Sequence, residues 1–229
     1  NQAGGGYNYN GENGLGLTTA GNRDLKWEKA QQGDIGVDLS FFKGAVTFTA
    51  DAFIKDTKDL LYQKPTPATS GYTSQVCNIG SMRNKGLEFT LGANLSKGGF
   101  SWHSDFNISF IRNKLTALLD NNEILTTSSM HALKVGEPIG SFYMIKWKGI
   151  YQSDDEIPAK IYEQGVRAGD CIYEDVDGND VIDEKDKQFV GSANPKFTGG
   201  FNNTFKYKGL DLSVFFTFSS GNKLYELWT

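Results

Sequence analysis

No run of 18 or more apolar residues occurs anywhere in these 229 residues, so the sequence offers no transmembrane helix. Five prolines leave long stretches of chain free to donate to a sheet ladder. Two cysteines, Cys77 and Cys171, fit no metal or redox spacing; they are either two free or buried thiols or one pair formed in an oxidising compartment. Only two histidines are present, and neither sits in a nucleophile, zincin or phosphate-loop motif. His103 has Asp105 two residues away but reads as a polar residue on one face of a strand, and His131 lies in a loop. Nothing therefore points to an enzyme. The formal net charge of -4 is mild and argues against a nucleic-acid partner. The chain opens on Asn1-Gln2-Ala3-Gly4-Gly5-Gly6-Tyr7 with no export signal, the pattern of a mature chain or of a piece of a longer one.

What is abundant is aromatic and glycine: 16 Phe, 10 Tyr, 4 Trp and 27 Gly, a mixture that suits strands and tight turns. Residues 1–32 read as loop and strand entry. From residue 33 the hydropathy period is two. Ile35, Val37 and Leu39 alternate with Asp34, Gly36 and Asp38; Val46, Phe48, Ala50, Ala52 and Ile54 alternate with mostly polar neighbours. Leu87 to Leu95 and Phe100 to Phe110 do the same, the latter broken only by Ser104, and Phe197 to Tyr207 and Leu210 to Phe218 follow.

These runs last about 10 residues, the length needed to cross a bilayer as tilted strands. Short turns at 41–44, 97–99 and 207–209 alternate with long excursions over about 56–84 and 113–195, the turn/loop asymmetry of an outer-membrane barrel. If the short turns share one side, an even number of crossings must separate Gly99 from Tyr207. Ile139–Tyr151 and Gly169–Tyr173 then either both cross or neither does, and the expectation is that neither does, both being local β structure in a large outer loop. The expectation is an all-β, antiparallel transmembrane barrel segment of about six strands: 33–112 as strands, 113–195 as loop region and 196–229 as a barrel hairpin. Six strands do not close a barrel, so the segment belongs to something larger. The alternative is a secreted or surface-attached, calcium-stabilised β-sandwich that binds or adheres.

One loop has cation-site spacing. Counting Asp175 as position 1, Asp177, Asn179, Asp183 and Asp186 put side-chain oxygens at positions 3, 5, 9 and 12, and Val181 offers a backbone carbonyl at 7. A hard cation takes six to eight such oxygens, which favours Ca2+ over Mg2+ in a structural role over 175–186. Asp180 stands where glycine is usual, and Asp186 is shorter than the usual bidentate Glu, which predicts a weak site. The competing reading is a solvated acidic turn. Outer-loop aromatics (Tyr62, Tyr72, Phe142, Tyr143, Trp147, Tyr151 and Tyr162) offer stacking faces for a ligand or packing for the loops.

Five stretches resemble those of one family. Asn22-Arg23-Asp24-Leu25-Lys26-Trp27-Glu28 resembles N-P-D-L-K-W-E of the SusC/RagA-type TonB-dependent transporters, with Arg23 replacing the proline. Asn78-Ile79-Gly80-Ser81-Met82-Arg83-Asn84-Lys85-Gly86-Leu87-Glu88 resembles N-x-G-x-M-x-N-K-G-x-E. Val135 to Tyr143 resembles V-G-x-P-I-G-S-F-Y, the acidic loop resembles D-x-N-G-D-G-x-I-D, and Asn194-Pro195-Lys196-Phe197 with Gly200 to Phe205 resembles N-P-K-F-x-x-G-F-N-N-x-F. The resemblance implies the later part of a 22-stranded barrel closed by an N-terminal plug, with the plug outside this chain. It implies an integral outer-membrane location and TonB-dependent import of an oligosaccharide or peptide. The implied partners are a SusD/RagB-like surface lipoprotein, the TonB complex acting through the plug, and outer-membrane lipid.

Overall fold

A computed structural model describes residues 3–9, 12–17, 19–119 and 124–226, the first two segments as backbone alone. The chain forms, in order, β1 (Ala3–Tyr9), β2 (Glu12–Leu17), β3 (Thr19–Ala20), β4 (Lys29–Phe41), β5 (Val46–Pro65), β6 (Ser74–Lys97) and β7 (Phe100–Leu118). There follow β8 (Leu125–Thr126), β9 (Ala132–Leu133), β10 (Ser141–Ile145), β11 (Trp147–Ile150), the short helix α1 (Ala159–Glu163), β12 (Cys171–Tyr173) and β13 (Lys187–Ser192). β14 (Phe197–Tyr207) and β15 (Leu210–Ser220) complete it. None of the described helices is long and apolar enough to span a membrane.

Six long strands make one antiparallel sheet in the order β15-β14-β7-β6-β5-β4, with β3 pairing in parallel with the top of β6. β7 hydrogen-bonds directly to β14, Ser109 opposite Thr198 through Phe100 opposite Tyr207, so no strand crosses between them. The intervening pieces pair among themselves, β10 with β13 and β11 with β12. The turn chemistry explains two of the reversals. Gly98 and Gly99 (φ 60° and 80°) join β6 to β7, and Lys208 and Gly209 (φ 47° and 86°) join β14 to β15. Positive φ at both central residues marks the type I′ turn, whose twist matches the strands it joins.

Register puts the apolar alternates of all six strands on one face. One row runs Leu39, Phe48, Leu91, Phe106, Phe201, Phe216 from edge to edge. Aromatic residues rim this belt. Phe41, Phe100, Trp102, Phe205 and Tyr207 lie toward the short turns, and Phe110, Phe197 and Phe218 lie at the far end with ring centroids about 6 Å apart. The belt is bare: Ile35 and Leu210 are each 75 % exposed and Phe216 is 58 % exposed. A β-sandwich would bury this face under a second sheet, and among the described residues nothing covers it.

The buried cores lie elsewhere. Leu60, Cys77, Ile79, Leu115, Leu118 and Leu133 pack together where the tops of β5, β6 and β7 meet β9. Tyr151, Ile157 and Ile161 form a second cluster beside α1. Cys77 is in the first core and Cys171 is exposed on β12; both thiols are free.

The excursion expected over about 56–84 is drawn differently by the structure. β5 and β6 continue as a paired ladder to Pro65 opposite Ser74, leaving 66–73 as the turn. The sequence hid this because the ladder slips at Thr57–Leu60 and Leu60–Leu61, with Asp59 at φ 59°, so the face of each side chain changes along the strand. Charged residues Lys55, Asp56, Lys58 and Asp59 then mask the period.

Candidate functional site: the polar wall and the outer mouth

The face opposite the belt is polar and acidic. Asp34, Asp38, Asp51, Glu88 and Asp105 lie on it, and Asp51 and Glu88 are direct cross-strand partners. Hydroxyls quench part of this charge: Thr49 Oγ1 donates to Asp38 (2.6 Å) and Ser109 Oγ to Glu88 (2.8 Å). His103 lies on the same face, paired with Asp105 and in contact with Asn94.

Asparagines from separate motifs assemble the mouth above this face. Asn78 on β6 accepts from the Lys26 N–H (2.8 Å) and donates to the Lys26 carbonyl (2.9 Å) and the Asp59 carbonyl (2.7 Å). Asn22 donates to the Val76 carbonyl (3.0 Å), so the 22–28 stretch is laced to the 78–88 stretch. Asn113 donates to Asn84 (2.7 Å) and accepts from the Ile139 N–H (2.7 Å), while Asn194 donates to the Ile139 carbonyl (3.0 Å). The 135–143 segment is thereby drawn over the polar face. Beneath it is an open cavity of about 470 Å³ lined by Asn84, Ser109, Asn113, Ile139, Asn194 and Thr198 among others. The staple roles of Asn22, Asn78, Asn84, Asn113 and Asn194 escaped the sequence reading. All but Asn113 stood inside the resembling motifs, which was the available signal.

The acidic loop folds as a cage of backbone donors. Asp175 accepts from the Gly178 (2.7 Å), Asn179 (3.3 Å) and Asp180 (2.7 Å) N–H groups. These hydrogen bonds, the one from Asp180 foremost, hold its carboxyl below the usual range. Asp180 takes the left-handed conformation (φ 60°) that glycine would occupy. Asp186 is fully buried and accepts from Val176 and Asp183 N–H, each at 2.8 Å.

Of the six residues in the cation-site spacing, the structure brings together the carboxylates of Asp175, Asp177 and Asp186, whose ligand oxygens lie within 4.8 Å of one another. Asn179 sits beside them, its amide donating to Asp177 (2.9 Å) and its oxygen accepting from the Val181 N–H (2.7 Å). Asp183 is turned away, capping the 3-10 turn at Glu184–Asp186 through the Lys185 N–H. An all-oxygen donor set fits a hard cation. Lys160, from α1, supplies a fixed positive charge at the rim, donating to the Asn179 carbonyl (3.0 Å) and 3.8 Å from Asp180. Alongside, Lys146 first and Gln188 second hold the Glu174 carboxyl below the usual range.

Most outer-loop aromatics are committed to packing. Tyr151 and Phe142 are buried, the Tyr143 ring packs tilted against Phe189 with centroids 5.0 Å apart, and the Arg167 guanidinium lies 3.8 Å from the Tyr162 ring. Trp147 stays open, 58 % exposed.

With the wall and mouth described, comparison with known proteins is decisive. The family model described as TonB dependent receptor-like, beta-barrel matches residues 1–225. The chain belongs to that family. TonB-dependent receptor P3 of Formosa agariphila is 36 % identical over 223 residues, 93 % of this chain and 22 % of that protein. TonB-dependent receptor SusC of Bacteroides thetaiotaomicron is 28 % identical over 218 residues, 89 % of this chain and 20 % of that one. Among solved structures, the RagAB peptide transporter superposes with a TM-score of 0.77 at 24 % identity, over 94 % of this chain and 23 % of that chain. The chain thus spans between a fifth and a quarter of these relatives. Its open six-stranded sheet is a piece of a TonB-dependent receptor barrel wall.

Proposed function

We propose that the chain forms wall and extracellular mouth in an outer-membrane importer of the SusC/RagA type, which takes up an oligosaccharide or a peptide by TonB-dependent active transport. The observation that carries this reading is the inversion of burial. The apolar belt of the six-stranded sheet is bare, whereas the packed cores lie above it in the outer region. Lipid satisfies such a belt, and the polar face then lines a lumen. A SusD/RagB-like lipoprotein serves as lid over the mouth, and the TonB complex acts through the plug. The transported molecule is moved with no bond made or broken.

The test is uptake by cells carrying or lacking the full-length protein, supplied with labelled oligosaccharides and peptides. Saturable uptake of one class, abolished by an uncoupler of the proton gradient, supports the proposal. Uptake identical in both strains for every substrate, or unaffected by the uncoupler, overturns it.

The acidic loop is proposed to bind Ca2+ as a structural ion, in the weak range of roughly 10⁻⁴–10⁻³ M seen for extracellular sites. The convergence of Asp175, Asp177 and Asp186 supports this. Calorimetric titration of the full-length protein should show one site that Asp177→Asn removes. No heat at millimolar calcium would leave a hydrogen-bonded acidic turn.

A further inference from the structure

Cross-strand register places like charges opposite each other on the belt side of the sheet, immediately beyond the far aromatic rim. Leu87 and Phe110 are partners in the last apolar row; two residues further along, Lys85 faces Arg112, and two beyond that Arg83 faces Lys114. On the neighbouring strands Lys58 faces Lys29. All six side chains are on exposed residues, and alternation puts them on the same face as the belt. Directly opposed like charges destabilise a sheet, and here three such pairs stand together.

One carboxylate occupies these register positions, Asp56, and Arg83 clasps it with two hydrogen bonds of 2.6 and 2.8 Å. Among the described residues Lys29, Lys58, Lys85, Arg112 and Lys114 have no acidic partner within ion-pair distance. Arg112 spends one amino group on the Lys196 and Ile111 carbonyls, and that contact fixes its guanidinium at the rim. The intervening row on the polar face carries neutral Asn84 and Asn113 with a single cation, Lys55, so the basic residues are concentrated on the belt side.

Spacing decides what this cluster meets. At about 3.4 Å per residue along a tilted strand, Lys85 and Arg112 lie one headgroup layer beyond the hydrocarbon belt. The short turns are at the opposite end, which makes this the extracellular leaflet if the importer reading holds; the inference rests on that reading. Basic side chains at that depth recognise anionic headgroups. We infer that Lys85, Arg112, Arg83 and Lys114, extended by Lys58 and Lys29, form a docking surface for the phosphate groups of a phosphorylated glycolipid in the outer leaflet.

The experiment uses the full-length protein in detergent and measures retention of monophosphoryl lipid A, its dephosphorylated form and inorganic pyrophosphate. Variants K85Q, K58Q and K85Q/R112Q are compared with the unaltered protein. Each lost cation should weaken retention of the phosphorylated lipid about fivefold, a factor equivalent to about 1 kcal/mol. The dephosphorylated lipid should be held equally by all of them. K85Q and K58Q leave the Arg112–Lys196 contact intact, so they keep the result readable if R112Q loosens the local fold. Equal retention of the phosphorylated lipid by all variants overturns the inference. So does wild-type retention of the dephosphorylated lipid as strong as that of the phosphorylated one. Displacement of the lipid by millimolar pyrophosphate would make this a site for free anions and would also overturn it. Failure of the importer reading shows separately, as a full-length protein that purifies without detergent.

Discussion

At the scale of single residues, the mouth depends on amides that act as both donor and acceptor. Asn78 completes a miniature ladder with Lys26 and also holds the Asp59 carbonyl at the bulge of β5. Asn78→Ala removes all three hydrogen bonds and should cost about 1–3 kcal/mol, most of it because the part-buried Asp59 carbonyl loses its partner. The 22–28 stretch should detach, which faster hydrogen exchange at the Lys26 N–H would report while the belt strands stay protected. Asp175 gives a pH dependence. Its folded pKa is depressed by the Asp180, Gly178 and Asn179 N–H groups. Its contribution is therefore present above its unfolded value of about 3.9 and is lost as pH falls through the lower folded value. Protection of the Gly178 and Asp180 N–H groups against hydrogen exchange, corrected for the intrinsic exchange rate, should stay constant from pH 7 to 5 and fall below about pH 3.9. A fall already between pH 7 and 5 would contradict this.

At the scale of elements, the membrane-facing halves of the six long strands were legible because one face meets a single apolar environment and the period of two survives. The far ends of β5 and β6 were not, since charged residues sit on both faces and the bulges change parity. The pairing of β10 with β13 and of β11 with β12 joins residues more than 20 positions apart, which local pattern does not encode. In the acidic loop the oxygen spacing was legible. Which carboxylates converge and which one caps the turn depended on the 3-10 turn at Glu184–Asp186.

The belt's polar interruption shows the same limit. Ser104 and Asn203 break the alternation on β7 and β14, yet they are direct partners, both buried, and Trp102 Nε1 donates to Asn203 Oδ1 at 3.0 Å. Trp102→Phe leaves that acceptor unpaired and should destabilise the barrel by about 1–3 kcal/mol, read as a lower unfolding midpoint in urea. Trp102→Phe combined with Asn203→Leu should recover most of the loss, because the polar atom is then gone. Gly199 carries a different constraint: a Cβ there would stand 2.4 Å from the Phe218 ring. Gly199→Val should therefore displace Phe218 and weaken the far aromatic rim, lowering folding yield in detergent.

At the scale of the whole molecule, the sheet has two open edges, β4 and β15, and an uncovered apolar face. Both are costly in water and resolved in a closed barrel surrounded by lipid. The central claim is that odd and even residues of one strand meet lipid and lumen in turn. Single-cysteine scanning of β6 in the full-length protein tests it most directly, with Cys77 and Cys171 replaced by serine. Cysteines at Phe89, Leu91 and Ala93 should react with a lipid-soluble maleimide and resist a charged one, while those at Glu88, Thr90 and Gly92 should show the reverse. Uniform reactivity along 88–93, or labelling of Leu91 by the charged reagent in intact membranes, would contradict the account.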